Sequence, residues 1–180
     1  MKTVITISRQ YGSGGREIGK KLAEQLGIPF YDNEIISRAA KETGFSEAAF
    51  ESVEDKATNS LLYSIAMGMN VFTSQDTGFA GLSLDDRIFL AQSNVIRKVA
   101  EEGACVIVGR CADYILKDLD DIVNVFISAN LDFRIQRSIE IDHLSPENAA
   151  ETVSKKDKSR GNYYRYHAGE RWNNLFNYDL

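Results

Sequence analysis

The sequence predicts an α/β protein with a parallel sheet, and three patterns support this prediction. Short apolar runs alternate with amphipathic helical segments along the chain, which is typical of parallel sheets with helical crossovers. The run Cys105–Val108 is apolar throughout, as expected for a strand buried on both faces. The N-terminal run ends in a glycine cluster that is followed at once by a helical pattern. A strand, a glycine loop and a helix in this order predict a phosphate-binding loop.

The N-terminal unit is predicted as a strand over residues 3–8, a loop over 9–15 and a helix over about 16–26. An apolar stripe at helical spacing marks the helix, which ends at Gly27. Glycines allow backbone N–H groups to converge on an anion, and the helix N-terminus adds about half a positive charge. The residues predicted to bind phosphate are Gly12, Ser13, Gly14, Gly15, Arg16, Glu17 and Ile18.

The middle of the chain is predicted to be mainly helical. Asp32 is a good N-cap residue, and Gly44 is of the type that commonly ends a helix. Ser83 and Asp86 have the spacing of a capping box, in which the later side chain reaches back to the first. The predicted elements are a short strand over 27–31, helices over 32–44, 46–69 and 83–103, and a loop over 70–82.

The second half of the chain repeats the alternation of strand and helix. Strands are predicted over 104–108 and 122–127, and both are expected to be parallel neighbours of the first strand. A helix is predicted around 131–141, and Ser145 followed by Pro146 predicts the start of another. No repeat or linker-like segment interrupts the chain, so a single domain is expected.

Polar residues follow the predicted strands where each strand ends. Ligands of parallel sheets bind at the C-terminal ends of the strands, so these residues should lie at one edge of the sheet. They comprise the glycine loop, Asp32, Asn33, Gly109, Arg110 and Ser128.

Arginine is the residue type that best indicates the chemistry of this edge. A guanidinium offers a planar fork to phosphate and keeps its charge. A glycine loop that faces several arginines suits phosphoryl transfer, which requires positioning and positive charge. Arg110 is favoured because it directly follows a buried strand. The candidates are Arg16, Arg38, Arg110, Arg134, Arg137 and Arg160.

Composition limits the classes of function. The chain has 180 residues and a net charge of −5, which argues against a general nucleic-acid-binding surface. No apolar run reaches the ~20 residues of a membrane span, and the N-terminus has a strand pattern, not that of a signal peptide. Cys105 and Cys111 offer no disulfide framework, and no Cys/His cluster has metal-ligand spacing. These features predict a cytoplasmic protein.

A segment over 155–172 mixes basic and aromatic residues, unlike the rest of this acidic chain. Such a mixture occurs in nucleic-acid-binding patches, but a small anionic ligand explains it equally well. A nucleic-acid-binding module is therefore one alternative function, although the net negative charge argues against it.

The chain resembles the cytidylate kinase-like proteins among the P-loop nucleoside monophosphate kinases. This resemblance extends in order over nearly the whole chain. The matching segments are residues 8–18 at the Walker A loop, 31–38 at the acceptor site, 108–110 at a Gly-Arg pair after a strand, 126–137 at a strand followed by two arginines, and 155–160 at an arginine-bearing lid.

The resemblance implies a P-loop kinase-type parallel sheet flanked by helices, in one domain over residues 1–180. A helical acceptor-binding region would span about 32–82, and a lid would span about 142–172. The implied reaction moves the γ-phosphate of ATP, with Mg²⁺, to a nucleoside monophosphate, CMP or dCMP being favoured. Its implied partners are thus small-molecule nucleotides. The implied catalytic residues are Arg16, Arg134, Arg137 and Arg160, and the implied acceptor-binding residues are Asp32, Asn33, Arg38 and Arg110.

The loop departs from the Walker A pattern Gly-x-x-x-x-Gly-Lys-[Ser/Thr]. Aligned on Gly15, the chain has Gln10 for the first glycine, Arg16 for the lysine and Glu17 for the hydroxyl residue. Arg16 is then expected to neutralise charge in place of the lysine, and no metal ligand is assigned. Two alternatives follow, a kinase of another small-molecule acceptor and a nucleotide-binding regulatory protein without turnover.

Overall fold

The described residues form one parallel sheet from the strands β1 (Val4–Arg9), β2 (Phe30–Tyr31), β3 (Cys105–Val108) and β4 (Ile122–Ile127), in the order β2-β3-β1-β4. The structure is a computed structural model that describes residues 3–56 and 82–180. Strand β1 pairs with β3 on one side and with β4 on the other, so the predicted parallel neighbours are confirmed.

Helices surround this sheet, and most of their predicted starts and ends fall at or beside the observed ones. The helix predicted over 46–69 is confirmed as far as residue 56; its remainder and nearly all of the loop predicted over 70–82 lie outside the described residues. The helices are α1 (Gly15–Leu26), α2 (Asn33–Thr43), α3 (Glu47–Lys56), α4 (Leu84–Glu102), α5 (Ala112–Ile115), α6 (Leu131–Ile141) and α7 (Pro146–Ala168). A 3₁₀ turn follows at Leu175–Asn177.

Strand β2 is shorter than the predicted range of 27–31. Gly27 has a φ of 64° and ends α1, where its N–H bonds to the last turn. Pro29 has no N–H to donate, and its carbonyl accepts a hydrogen bond from Val106 N at 2.9 Å. The extended pairing therefore begins only at Phe30.

Of the predicted N-cap residues Ser83 and Asp32, only Ser83 caps its helix through its side chain. Ser83 confirms the capping box, because its hydroxyl accepts from Asp86 N at 3.1 Å and donates to the Asp86 carboxylate at 2.7 Å. Asp32 precedes α2 as predicted, but its side chain makes no capping hydrogen bond. Its carboxylate instead pairs with Arg16, because a guanidinium is a stronger partner than a neutral amide.

Two apolar clusters cover the two faces of the sheet. Along β3, Cys105 and Ile107 join the cluster formed with α2, α3, α4 and α7, whereas Val106 and Val108 join the cluster beside α1. All four residues of β3 are buried, which confirms the prediction of a strand covered on both faces. Within the described ranges, no helix is both long and apolar enough to cross a membrane.

Candidate functional site

The glycine loop joins β1 to α1 at the C-terminal edge of the sheet. Gly12 and Gly14 have φ values of 75° and 83°, a conformation that residues with a Cβ rarely adopt. A Cβ on Gly12 would lie 2.5 Å from the backbone oxygen of Arg134. The first turn of α1 thus begins directly after a tight loop, so its unpaired N–H groups and helix dipole favour an anion at this point.

A cavity of about 710 Å³ opens above this loop, a size typical of small-molecule sites. It brings together residues from the loop, from the start of α2, from α6 and from α7. Among the predicted site residues, those that line it are Gly12, Gly14, Gly15, Arg16, Glu17, Asp32, Asn33, Arg137 and Arg160.

One wall of the cavity carries paired charges near the solvent. The Arg16 Nε lies 2.6 Å from the buried Asp32 carboxylate, although the Arg16 side chain is 67% exposed. The Arg137 Nη2 donates to Glu17 at 2.7 Å. Hydrogen bonds from Lys21 and then from Arg137 lower the pKa of Glu17, so this carboxylate stays ionised. The cavity therefore has adjacent positive and negative groups on its outer wall.

On the side of α6 and α7, a buried ion pair holds the loop backbone. Arg134 lies 2.5 Å from the Asp157 carboxylate, and both side chains are largely buried. Asp157 accepts from Tyr11 N at 2.7 Å, while Arg134 donates to Tyr11 O at 3.1 Å. Arg134 also donates to Ala129 O. This pair therefore fixes both backbone groups of one loop residue and connects β1 to α6 and α7.

Arg160 reaches the same loop from the next turn of α7. Its Nη1 donates to Arg9 O at 3.1 Å, and its guanidinium lies 5.4 Å from the centre of the Tyr11 ring. Burial, followed by the nearby Asp142 carboxylate, raises the pKa of Tyr11. Helix α7 thus contacts the loop through both a carboxylate and a guanidinium.

A smaller cavity of about 30 Å³ adjoins the first, and Arg9 and Arg160 line both. Arg110 lines the smaller cavity only; it is buried and has a φ of 59°. This left-handed backbone is uncommon for arginine and typical of constrained functional segments. The prediction that Arg110 binds the acceptor remains a prediction, now located beside Arg9 and Arg160.

Arg38 lies outside both of these cavities. Its guanidinium packs over the Tyr31 ring at 5.1 Å and its Nη1 lies 3.5 Å from Glu102. The side chain lines neither of the two cavities near the glycine loop. The structure therefore does not bring Arg38 and Arg110 together, and the acceptor role of Arg38 likewise remains a prediction.

Sequence reasoning missed Arg9, Tyr11 and Asp157 as contributors to the site. Each lies inside a segment that the resemblance had already marked. One signal was available for Arg9, since polar residues at the C-terminal end of a parallel strand face the ligand side. No local pattern indicates Asp157, because its partner Tyr11 is 146 residues away.

The comparison with known families agrees with this geometry, because the profile of the cytidylate kinase-like family matches residues 4–180. The chain belongs to the cytidylate kinase-like family. The cytidylate kinase of Pyrococcus horikoshii is 26% identical over 180 residues, which cover 99% of this chain and 78% of that protein. The cytidylate kinase of Methanopyrus kandleri is 24% identical over 189 residues, with coverages of 100% and 83%.

A solved structure shows the same fold. The crystal structure of an uncharacterized protein from Eubacterium ventriosum superimposes with a TM-score of 0.70 and is 28% identical. The match covers 98% of this chain and 84% of that one. These similarities confirm the family resemblance and the predicted α/β architecture, and they make this protein a kinase-like phosphotransferase.

Proposed function

We propose that this protein is a nucleoside monophosphate kinase that transfers the γ-phosphate of ATP to CMP or dCMP. The observation that carries the proposal is the glycine loop, which opens at the N-terminus of α1 into a cavity with arginines on its walls. Family membership supports the phosphotransferase class. The two cytidylate kinases among the relatives support the choice of acceptor.

In this proposal the donor phosphates bind to the loop over residues 12–18. Its backbone N–H groups and the dipole of α1 stabilise negative charge. Arg16, Arg137 and Arg160 line the cavity and offset charge on the transferring oxygens. Arg134 acts by positioning the loop, since its hydrogen bonds go to Asp157 and to backbone carbonyls.

The acceptor binds on the α2 side of the same cavity. Asp32 and Asn33 line this side and offer hydrogen-bonding groups to a nucleotide. Arg110, which lines the adjoining smaller cavity, is proposed to hold the acceptor phosphate, because guanidinium groups form bidentate hydrogen bonds to phosphate. Arg38 is proposed to join it by moving from its position over the Tyr31 ring. Helices α2 and α3 would then form the described part of the acceptor-binding region, and α7 would form the lid.

The carboxylates of the cavity fit Mg²⁺, which prefers hard oxygen ligands and usually combines one or two carboxylates with substrate phosphates. Glu34 lines the cavity and would hold the ion. Mg²⁺ bound there would neutralise negative charge on the phosphate oxygens. In the described part of the chain, no three His, Cys, Asp or Glu side chains form a metal-binding group, so the phosphates would complete the coordination.

A kinase assay across CMP, dCMP, UMP, AMP and GMP, with ATP and Mg²⁺, tests the proposal. The expected result is the highest kcat/KM with CMP or dCMP. A higher kcat/KM with a different acceptor would replace the proposed substrate and keep the reaction class. ATP binding without turnover of any acceptor would favour a regulatory nucleotide-binding protein instead.

A further inference from the structure

The conformation of the glycine loop indicates how it corresponds to the P-loop motif. Gly14 has a φ of 83° and is the N-cap of α1, and Gly15 is the first helical residue. In the motif Gly-x-x-x-x-Gly-Lys, the lysine follows the last glycine and reaches the phosphates. If Gly14 is that last glycine, then Gly15 takes the place of the lysine and Arg9 takes the place of the first glycine. This register is one residue earlier than the alignment on Gly15.

Gly15 faces the side chain of Arg9. The backbone of Gly15 is helical, so its conformation does not require a glycine. A Cβ at this position would lie 2.5 Å from the Cβ of Arg9 and 3.0 Å from its Cγ. Position 15 therefore cannot accommodate a lysine while the side chain of Arg9 lies along it.

The guanidinium end of the Arg9 side chain lies against Gly109. The φ of Gly109 is 74°, and a Cβ built there would overlap the Arg9 guanidinium. The backbone of Arg9 is also fixed, since its carbonyl accepts a hydrogen bond from Arg160 and it pairs in register with Ile127 of β4. The Arg9 side chain thus extends from the central strand and lies between Gly15 and Gly109. Arg9 lines both cavities.

We propose that Arg9 supplies the positive charge that the lysine supplies in an ordinary P-loop, by binding the β- and γ-phosphates of the nucleoside triphosphate. The identity of this ligand rests on the proposed function. A guanidinium suits the task because it keeps its charge and binds two phosphate oxygens at once. Arg16 differs, since its side chain is 67% exposed and paired with Asp32, and it contributes from the outer wall.

Calorimetric titration of the full chain with ATP, and separately with inorganic tripolyphosphate, tests this proposal. Arg9→Gln is expected to weaken the binding of both ligands about 10- to 100-fold, the loss of hydrogen bonds to a charged group. Arg9→Lys should retain more affinity because it keeps the charge. Arg97→Gln, at an exposed position on α4, is the matched control and should not change affinity. Parent-like affinity in Arg9→Gln would overturn the proposal.

A second test exchanges the glycine and the basic residue between positions 9 and 15. Arg9→Gly should lose ATP affinity, and Gly15→Lys alone should be destabilised by its overlap with Arg9. The double variant Arg9→Gly/Gly15→Lys restores the usual order of the motif and is expected to recover most of the lost affinity. Thermal unfolding establishes that each variant is folded. A folded double variant that binds ATP no better than Arg9→Gly would contradict the proposal.

The outcomes separate this inference from the proposed kinase activity. ATP binding that depends on Arg9, without phosphorylation of any nucleoside monophosphate, would keep the inference and overturn the proposed function. Turnover of CMP by the parent, with unchanged ATP affinity in Arg9→Gln, would overturn the inference alone. A parent protein that binds neither ATP nor tripolyphosphate would overturn both.

Discussion

The two sides of the glycine loop are held in different ways. On the side of α6 and α7, Arg134 and Asp157 form a buried pair that bonds to the loop backbone. On the side of β2 and α2, the Arg16 side chain is 67% exposed and pairs with Asp32. Because buried ion pairs are costly to break and exposed ones contribute little, we expect the first side to set the shape of the loop and the Arg16–Asp32 pair to rearrange more easily when a ligand binds.

The largest expected effect comes from breaking the buried pair. Asp157→Ala should lower the free energy of unfolding by about 3–5 kcal/mol, because Arg134 would remain buried without its carboxylate. Glu42→Ala breaks the exposed pair with Lys98, which is 2.7 Å long, and should cost less than about 1 kcal/mol. Urea unfolding of both variants measures the difference. Similar losses would show that burial does not decide the cost of breaking an ion pair in this protein.

A second comparison uses two glycines with left-handed backbone. Gly12→Ala should cost about 2–3 kcal/mol of unfolding free energy, because backbone strain is added to a collision with Arg134 O. Gly27→Ala, which has no atom within 4 Å of the new Cβ, should cost only the strain of about 1–2 kcal/mol. Urea unfolding gives both values, and titration with ATP should reveal an affinity loss in Gly12→Ala alone. An equal ATP affinity in the two variants would count against the loop as a phosphate site.

The C-terminal turn of α7 provides a prediction about pH. Burial against Phe89, on which the His167 ring stacks at 3.8 Å, lowers the pKa of His167 to about 4. As pH drops, His167 therefore takes up a proton in the unfolded chain before it does so in the folded protein. The free energy of unfolding should fall as pH drops from about 6.5 toward 4. Above that window, His167 should not change the pH dependence of stability. The free energy of unfolding should fall by about 2 kcal/mol in total, which is less than the full pKa shift implies because the ring is partly exposed.

Unfolding of His167→Phe between pH 4.5 and 7.5 checks this expectation, since the variant should lose that part of the pH dependence. His143→Asn is the control because His143 is exposed and has a φ of 56°, which asparagine tolerates. An unchanged pH profile in His167→Phe would mean that other groups cause the acid sensitivity.

The smallest expected effect concerns the two arginines proposed for the acceptor phosphate. Arg110→Gln should raise the acceptor KM about 10-fold, the scale of a lost charge-assisted hydrogen bond, with a smaller change in the ATP KM. Arg38→Gln should act in the same direction but less, since Arg38 starts from an exposed position. Steady-state kinetics with both substrates varied provides the test. A larger increase in the acceptor KM for Arg38→Gln than for Arg110→Gln would show that Arg38 contributes more to acceptor binding than Arg110 does.

Much of the fold could be predicted because it depends on local patterns. Strand β3 is apolar at every position, and the alternation of its side chains between two clusters follows from the period of a strand. The capping box at Ser83 was predictable from two residues three positions apart. Helix α5 was missed because four residues are too few to show a helical period.

The candidate site was predictable only in outline. The glycine loop was found from its composition, but its arginines could not be sorted into roles. Arg134 and Arg137 are three residues apart on the same helix, yet Arg134 is buried against Asp157 and Arg137 bonds to Glu17, whose side chain is 53% exposed. An arginine has a long stem and the same charge in any context, so its partner depends on which distant segments meet.

The sequence by itself determined the order of strands and helices, the parallel pairing around β1 and the presence of a glycine loop before α1, since periodicity and turn chemistry are local properties. Only the tertiary structure decided that Asp32 binds Arg16 instead of capping its helix, and that Arg9 lies between Gly15 and Gly109. The contacts of Arg16 with Asp32 and of Arg9 with Gly109 join different segments of the chain. The energy of a charged or tightly packed side chain depends on burial and on the neighbours that folding supplies.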